Sequence, residues 1–263
     1  MPNVETIVQM ELNELEYAEN YDQENLDKGK YALANDFVRM PKAMSIQLLK
    51  MLGAVLSKID SKNDNRNEFG ELEVTMDLRE LMKLTGANLS NYEYYRDLVD
   101  DFQVKTHIKA TLGNDDISGN VISYAVVENK TNVKFTVLRQ FIPFVQELKN
   151  NFTMIEIANT INFTSRFSYN LYINLLSWRK LNQEGYRFYT TRQLKEVFGL
   201  SVDDYVRSSG KFDRSAFEKK TIVKAVQEIN DLTNMRIAWK KNYKGNKVAN
   251  YQFNFVEFNE DIL

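Results

Sequence analysis

Between Gly210 and Phe255 the spacing of apolar residues changes from helical to alternating, and this constrains the fold more than any other stretch. Phe217, Ile222, Ala225, Val226, Ile229 and Leu232 recur at roughly helical intervals, with Lys220, Lys224 and Gln227 on the other side. Ser215 and Glu218 stand at the S-x-x-E spacing of a capping box and predict the helix start. At Asn234 the run stops and alternation begins. Ile237, Trp239, Lys241 and Tyr243 share one strand face, Lys244-Gly245-Asn246-Lys247 reads as a turn, and Ala249, Tyr251, Phe253 and Phe255 form the returning strand.

A half-buried helix with Arg and Lys near its start, followed by a ribbon tipped with lysines, is the outline of a winged helix. Such a helix can enter a major groove with its first turns leading. Lys240, Lys241, Lys244 and Lys247 at the ribbon can lie along phosphates. The competing reading is a surface helix and an exposed hairpin whose lysines only keep the fold soluble.

Charge distribution favours the first reading. Residues 160–255 hold 17 Lys/Arg against 8 Asp/Glu, a net of about +9, so the total of −2 leaves about −11 for the remainder. Opposite signs in the two parts suggest that one faces a polyanion. At 263 residues the chain is long enough for two domains with separate cores. No apolar run approaches 18 residues, and the acidic amino-terminal segment is no signal peptide, so no membrane association is expected. The absence of cysteine excludes disulfides and thiolate metal sites and fits a reducing compartment.

Catalytic signatures are missing. The single histidine, His107, lies on a probable strand and reads as a surface residue, which excludes His-pair metal sites and paired-His nickase chemistry. No G-x-x-x-x-G-K-[ST] stretch exists, so a P-loop ATPase is excluded. Asp100-Asp101 and Asp115-Asp116 sit beside turn residues and read as solvated loop charges. No cofactor and no enzymatic activity are expected.

Residues 1–30 carry eight acids and two lysines, with Val4, Ile7, Val8, Leu12 and Leu15 at loosely helical spacing; a solvated, flexible segment is expected, the alternatives being a frayed amphipathic helix or a tail that contacts a partner. Asn35–Val38 reads as short and extended, and Ser45 to Ile59 as a helix. Leu72–Met76 reads as a strand, Asp77 caps a short helix ending at Gly86, and Ser90-x-x-Glu93 opens a longer one. Strands are expected near Thr106–Leu112, Val121–Val127 and Val133–Leu138, with a Gly/Asn/Asp loop between the first two. Phe141 to Leu148 reads as a short helix and Thr153–Ile157 as the joint between halves. Thr164 or Ser165 then caps a helix running through Trp178 to Leu181, and Tyr186–Tyr189 is a short strand. Thr190 or Thr191 caps a short helix ending at Gly199.

The two short helices align without gaps, Asp77 to Gly86 on Thr190 to Gly199, matching cap, Arg, Leu and terminal Gly. Each is followed by a longer helix and then strands. This order predicts an α+β chain of two tandem winged-helix domains related by pseudo-duplication, over 31–150 and 151–263. The copies differ in charge. The first offers Arg96 beside Asp97, Asp100 and Asp101, whereas the second offers Arg214, Lys219, Lys220 and Lys224. Tight DNA binding is therefore expected of the second copy, and dimerisation with weaker backbone contacts of the first. Tyr92, Tyr94, Tyr95, Trp178 and Trp239 could stack on unpaired bases, although core packing is the expected role.

Several separated segments resemble the iteron-binding plasmid replication initiators. They are Ser165-Arg166-Phe167-Ser168-Tyr169-Asn170-Leu171-Tyr172 through Trp178, Leu194 to Leu200, Lys211-Phe212-Asp213-Arg214, and Ala225 to Thr233. They fall in the family's order over about 160–255, whereas 31–150 matches by layout. The resemblance implies a cytoplasmic bacterial protein that binds direct repeats at a plasmid origin and recruits host initiator and replicative helicase. As a dimer it would repress its own gene. Carried over, it puts Arg214, Lys219 and Lys220 at the major groove and the Lys240–Lys247 wing on the backbone. The full set of candidate double-stranded DNA contacts is Arg166, Arg192, Arg207, Lys211, Arg214, Lys219, Lys220, Lys224, Lys240, Lys241, Lys244 and Lys247. Two alternatives stay open: a winged-helix transcriptional repressor without origin function and, from another class, a nickase, against which the single histidine and the lack of an acidic trio argue.

Overall fold

The computed structural model describes residues 29–59, 65–112, 115–146, 148, 151–179 and 184–258. The acidic amino-terminal expectation up to residue 28 and Leu181 lie outside the described residues, while Lys30, expected in that segment, opens the first strand. In chain order the elements begin with β1 (Lys30–Ala34), α1 (Asn35–Arg39), α2 (Ile46–Leu56), β2 (Leu72–Asp77), α3 (Leu78–Leu84) and α4 (Tyr92–Lys105). Strands β3 (His107–Leu112), β4 (Asp115–Asn120), β5 (Ile122–Glu128), β6 (Asn132–Val137) and β7 (Phe152–Glu156) follow. Beyond a short turn of helix come α5 (Arg166–Leu176), β8 (Gly185–Tyr189) and α6 (Thr191–Val197). The chain then forms α7, a continuous helix over 214–232, and the hairpin β9 (Met235–Lys244) and β10 (Lys247–Glu257).

Contacts divide the chain into two compact units: residues up to Phe37 with Lys50–Ala158, and Val38–Leu49 with Asn159–Leu263. In the first, β2, α3, α4 and the hairpin β5–β6 follow one another, and the three strands form a sheet in the order β2-β6-β5. In the second, β8, α6, α7 and the hairpin β9–β10 do the same, with the strands in the order β8-β10-β9. Each sheet is antiparallel, and each first strand pairs with the second strand of its hairpin. This is the winged-helix arrangement twice over.

The match extends to individual hydrogen bonds. The Asp77 carboxylate accepts from the Arg79 N–H at 2.8 Å, and the Thr190 hydroxyl accepts from the Gln193 N–H at 3.3 Å in a full capping box. At the other end Gly86 and Gly199 take φ +70° and +62°. The Gly86 N–H meets the Lys83 carbonyl and Ala87 N–H that of Met82; Gly199 and Leu200 do the same with Glu196 and Lys195. Both short helices thus close with the same left-handed glycine motif.

Local structure departs from the sequence-based expectations at several points. Asn35–Arg39 is helical rather than extended: Phe37 and Val38 are both buried, and adjacent buried residues do not distinguish the two periods. Within the expected loop, Asp115–Asn120 is strand β4, paired with β3 from His107↔Asn120 to Leu112↔Asp115, so Asp115-Asp116 are strand residues; a turn-like composition hides a ladder that only the partner strand supplies. Asn88 caps the turn before α4 by accepting from the Ser90 N–H, and Glu93 pairs with Arg96 instead of forming a box with Ser90. The Phe141–Leu148 helix is a 3₁₀ turn over Arg139–Phe144 containing Pro143, whose missing N–H suits the tighter form. Helix α5 ends at Leu176.

The Val38–Leu49 segment is bound within the second unit. The Arg39 guanidinium lies 3.3 Å from the Trp178 ring centroid and donates to the Ser177 carbonyl at 2.8 Å. The Lys42 carbonyl accepts from the Asn170 amide at 3.0 Å. A Cβ on Gly199 would fall 2.2 Å from that same carbonyl oxygen, whereas one on Gly245 would meet nothing within 4 Å. Both glycines have positive φ, so alanine at either site bears the left-handed penalty of about 1 kcal/mol. Gly199→Ala must also displace the Lys42 backbone. In chemical denaturation it is expected to lower the unfolding free energy well beyond Gly245→Ala; equal losses would contradict the close approach.

Candidate nucleic-acid interface

Helix α7 is built around one ring. Phe217 is fully buried, with ring centroids of Phe212, Tyr205, Phe198 and Tyr251 at 5.5, 5.6, 6.2 and 6.4 Å. The next buried apolar residue, Ile222, comes five positions later, which a regular α-helix would turn about 140° away. A π-helical turn over Glu218–Val223 takes up the extra residue. Phe217, Thr221, Ile222, Ala225, Val226 and Ile229 are accordingly all buried. The buried Thr221 hydroxyl donates to the Phe217 carbonyl at 2.6 Å, giving that oxygen a partner within the irregular turn.

The helix start differs from the sequence expectation. Asp213, not Ser215, is the cap: its carboxylate accepts from the Ala216 N–H at 3.1 Å. The same carboxylate accepts from Arg207 at 2.7 and 2.9 Å. The Ala216 amide first, then Arg207, holds its pKa below the usual carboxylate range. The loop before the helix is fixed as well. The Lys195 ammonium is buried and donates to the Val202 and Asp204 carbonyls, and Val206 bridges to Phe212, leaving Arg207 and Lys211 on an exposed tip.

Glu218, expected to close a capping box, instead turns to the ribbon. It accepts from the Tyr251 hydroxyl at 2.9 Å and from the Lys241 ammonium at 3.0 Å. Arg214 reaches the same phenol at 3.4 Å and lies 5.7 Å from the Phe212 ring. Burial, then the Glu218 carboxylate, pushes the Tyr251 phenol up to about 12, so it stays protonated and donating. These contacts tie the first turns of α7 to the root of the wing.

The candidate residues therefore sort by partner. Lys219, Lys220 and Lys224 on α7, Lys211 on the loop, and Lys240, Lys244 and Lys247 on the wing are exposed and form no ion pair among the described residues. Lys241 is paired with Glu218, Arg207 with Asp213 and Arg192 with Glu196. Half-buried Arg166 donates to the Ala43 carbonyl at 3.2 Å. The wing turn is the expected one, with Gly245 at φ +60° between Lys244 and Lys247. Val223, which no sequence motif marks, is 44% exposed among these lysines; the five-residue step from Phe217 to Ile222 is the signal that places it outward.

At the start of α5, Ser168 and the preceding Thr164 donate to the Glu228 carboxylate; burial works to raise its pKa, but these bonds outweigh it and hold it low. In the first copy α4 carries Arg96 paired with Glu93 and Lys105 paired with Asp101, while Asp97 and Asp100 are exposed. Among the aromatics, Tyr95 is buried and accepts from the Thr85 hydroxyl, and Trp239 lies 6.1 Å from Tyr251. Trp178 holds Arg39 and Arg187, whereas Tyr94 is exposed. His107 is exposed beside Ser118. Among the described residues no cluster of His, Asp and Glu could hold a metal, and no helix is long and apolar enough to cross a membrane.

Two family models match the chain, initiator replication protein WH1 over residues 30–176 and initiator Rep protein WH2 over residues 190–255. Among solved structures, the crystal structure of Pi initiator protein in complex with iteron DNA aligns with a TM-score of 0.69 at 18% identity. The alignment covers 89% of this chain and 99% of that one, and at this identity it shows the shared fold. No curated protein matches.

Because Lys241 is half-buried, its partner matters to stability. Glu218→Ala strands both the lysine and the Tyr251 hydroxyl and is expected to cost about 1–3 kcal/mol. Tyr251→Phe removes the hydroxyl's bond to Glu218 and its long contact with Arg214 but leaves Lys241 paired, and is expected to cost about 1 kcal/mol. Urea denaturation of both variants checks the ranking; equal losses would show that Lys241 gains nothing from its carboxylate.

Proposed function

The chain belongs to the initiator replication protein family, and from that membership we propose that it starts plasmid replication by binding repeated origin DNA sequence-specifically, chiefly through its second winged helix. One observation carries this reading. The acids at the start of α7, Asp213 and Glu218, are engaged in internal hydrogen bonds, while Lys219, Lys220 and Lys224 stay exposed and unpaired on its outer side. Over these first turns the outward face carries cations without acids, which is what a polyanion needs, and the exposed Asp231 comes only in the last turn. The Pi initiator protein, of the same fold, is described in complex with iteron DNA, which supports a duplex as the partner.

Within this reading α7 enters the major groove with Arg214 leading; one of its five N–H donors is engaged by Tyr251 and the others remain for a base edge. Lys211, Lys219, Lys220, Lys224, Lys240, Lys244 and Lys247 neutralise phosphates, a salt-dependent and sequence-blind contribution. Arg192, Arg207 and Lys241 contribute less, because a carboxylate already offsets their charge, and Arg166 keeps N–H donors beyond the one on the Ala43 carbonyl. The first winged helix, with Asp97 and Asp100 exposed on α4, serves dimerisation and weaker backbone contacts. Monomers act at the origin and recruit host initiator and helicase, and dimers repress the protein's own gene. No covalent chemistry is involved, and the bacterial cytoplasm is the place of action.

The decisive experiment is transformation with a plasmid whose only origin is the set of direct repeats beside this reading frame, the protein being supplied in trans. Maintenance of the plasmid supports initiation; binding of the repeats without maintenance leaves repression as the activity. At the level of binding, replacing Lys219, Lys220 and Lys224 together by Ala is expected to weaken repeat and random duplexes alike. It should also flatten the dependence of log K on log salt by about 0.9 for each phosphate that is no longer neutralised. An unchanged slope would remove these lysines from the interface.

A further inference from the structure

The outer ridge of α7 is not uniformly polar. Ser215, Lys219, Val223 and Gln227 succeed one another at four-residue steps, and all four are exposed, while the residues opposite them fill the core. Val223 is the apolar member of this ridge. Its neighbours one turn away are Lys219 and Gln227, and Lys220 and Lys224 flank it. A branched apolar side chain there adds nothing to the core, weakens the helix slightly, and leaves hydrocarbon in water on a face that otherwise carries charge. The π turn over Glu218–Val223 is what brings it into line, because without the extra residue Phe217 and Ile222 could not share the buried side.

We propose that Val223 is a specificity residue whose methyl groups meet the C5-methyl group of a thymine in the major groove. This rests on the duplex-binding reading of α7 given above. The chemistry fits the position. In the major groove thymine presents a methyl group that no other base carries, and an apolar side chain is its natural partner. The flanking lysines, placed on phosphates, carry no sequence information there, so base reading beyond that of Arg214 falls to a different kind of residue between them. Thr221 supports the placement from within: its hydroxyl bond to the Phe217 carbonyl gives the π turn an internal hydrogen bond.

The test uses the full chain and the duplex it selects from a randomised pool. Each thymine of that duplex is replaced singly by uracil, which deletes the methyl group and nothing else, and binding is measured by fluorescence anisotropy for the native protein and for Val223→Ala. The expected result is one position at which uracil weakens the native protein about fourfold or more, the worth of one buried methyl group. The same replacement should leave Val223→Ala binding within about twofold, because that variant has no isopropyl group for the methyl to meet. If no uracil replacement matters, or if the sensitive position is equally sensitive in Val223→Ala, the assignment is overturned while sequence-specific binding stands. If the pool yields no enriched sequence, the duplex-reading function falls and this assignment with it.

Discussion

The second winged helix depends on the burial of Phe217. Its ring is in contact with the loop through Tyr205 and Phe212, with the short helix through Phe198, and with the sheet through Tyr251. Rings at these distances favour tilted and edge-on arrangements, so the contact sets orientation as well as burying area. A helix pinned at its first turn cannot roll, and the opposite face is thereby fixed outward. The outward placement of Lys219, Val223 and Lys224 follows from that one anchor.

Electrostatics then completes what packing begins. Acidic side chains near a helix start are ordinarily favourable, since the exposed amides carry partial positive charge. Here both acids are also used for joining: Asp213 links cap to loop through Arg207, and Glu218 links helix to wing through Tyr251 and Lys241. The negative charge is neutralised inside the domain, and the positive charge left over is spread across helix, loop tip and wing turn. The first copy shares the topology and the glycine-closed short helix but has acids exposed on the helix equivalent to α7. Same fold, opposite potential: the fold alone does not specify a phosphate-binding face.

Much of this was legible in the chain. Alternation from Ile237 onward, the Lys244–Lys247 turn, the caps at Asp77 and Thr190, and the two closing glycines are local signals, and each is found where expected. The shared order of elements, which implied two winged helices, rests on the same short-range periodicities. Less legible were features made by distant partners. Strand β4 looks like a loop until β3 pairs with it. Glu218 sits at the spacing of a capping box yet is taken by Tyr251, 33 residues away in sequence.

By itself, then, the sequence determined the elements, their duplication and the concentration of positive charge in the last third, because propensity, period and charge are properties of neighbouring residues. Only the tertiary structure decided which of those charges are free. Arg207, Arg192 and Lys241 meet carboxylates, while Lys219, Lys220 and Lys224 do not. It decided, too, that Val223 points outward, since the π turn that sets its direction is imposed by the need to bury Phe217 and Ile222 on one side of the same helix.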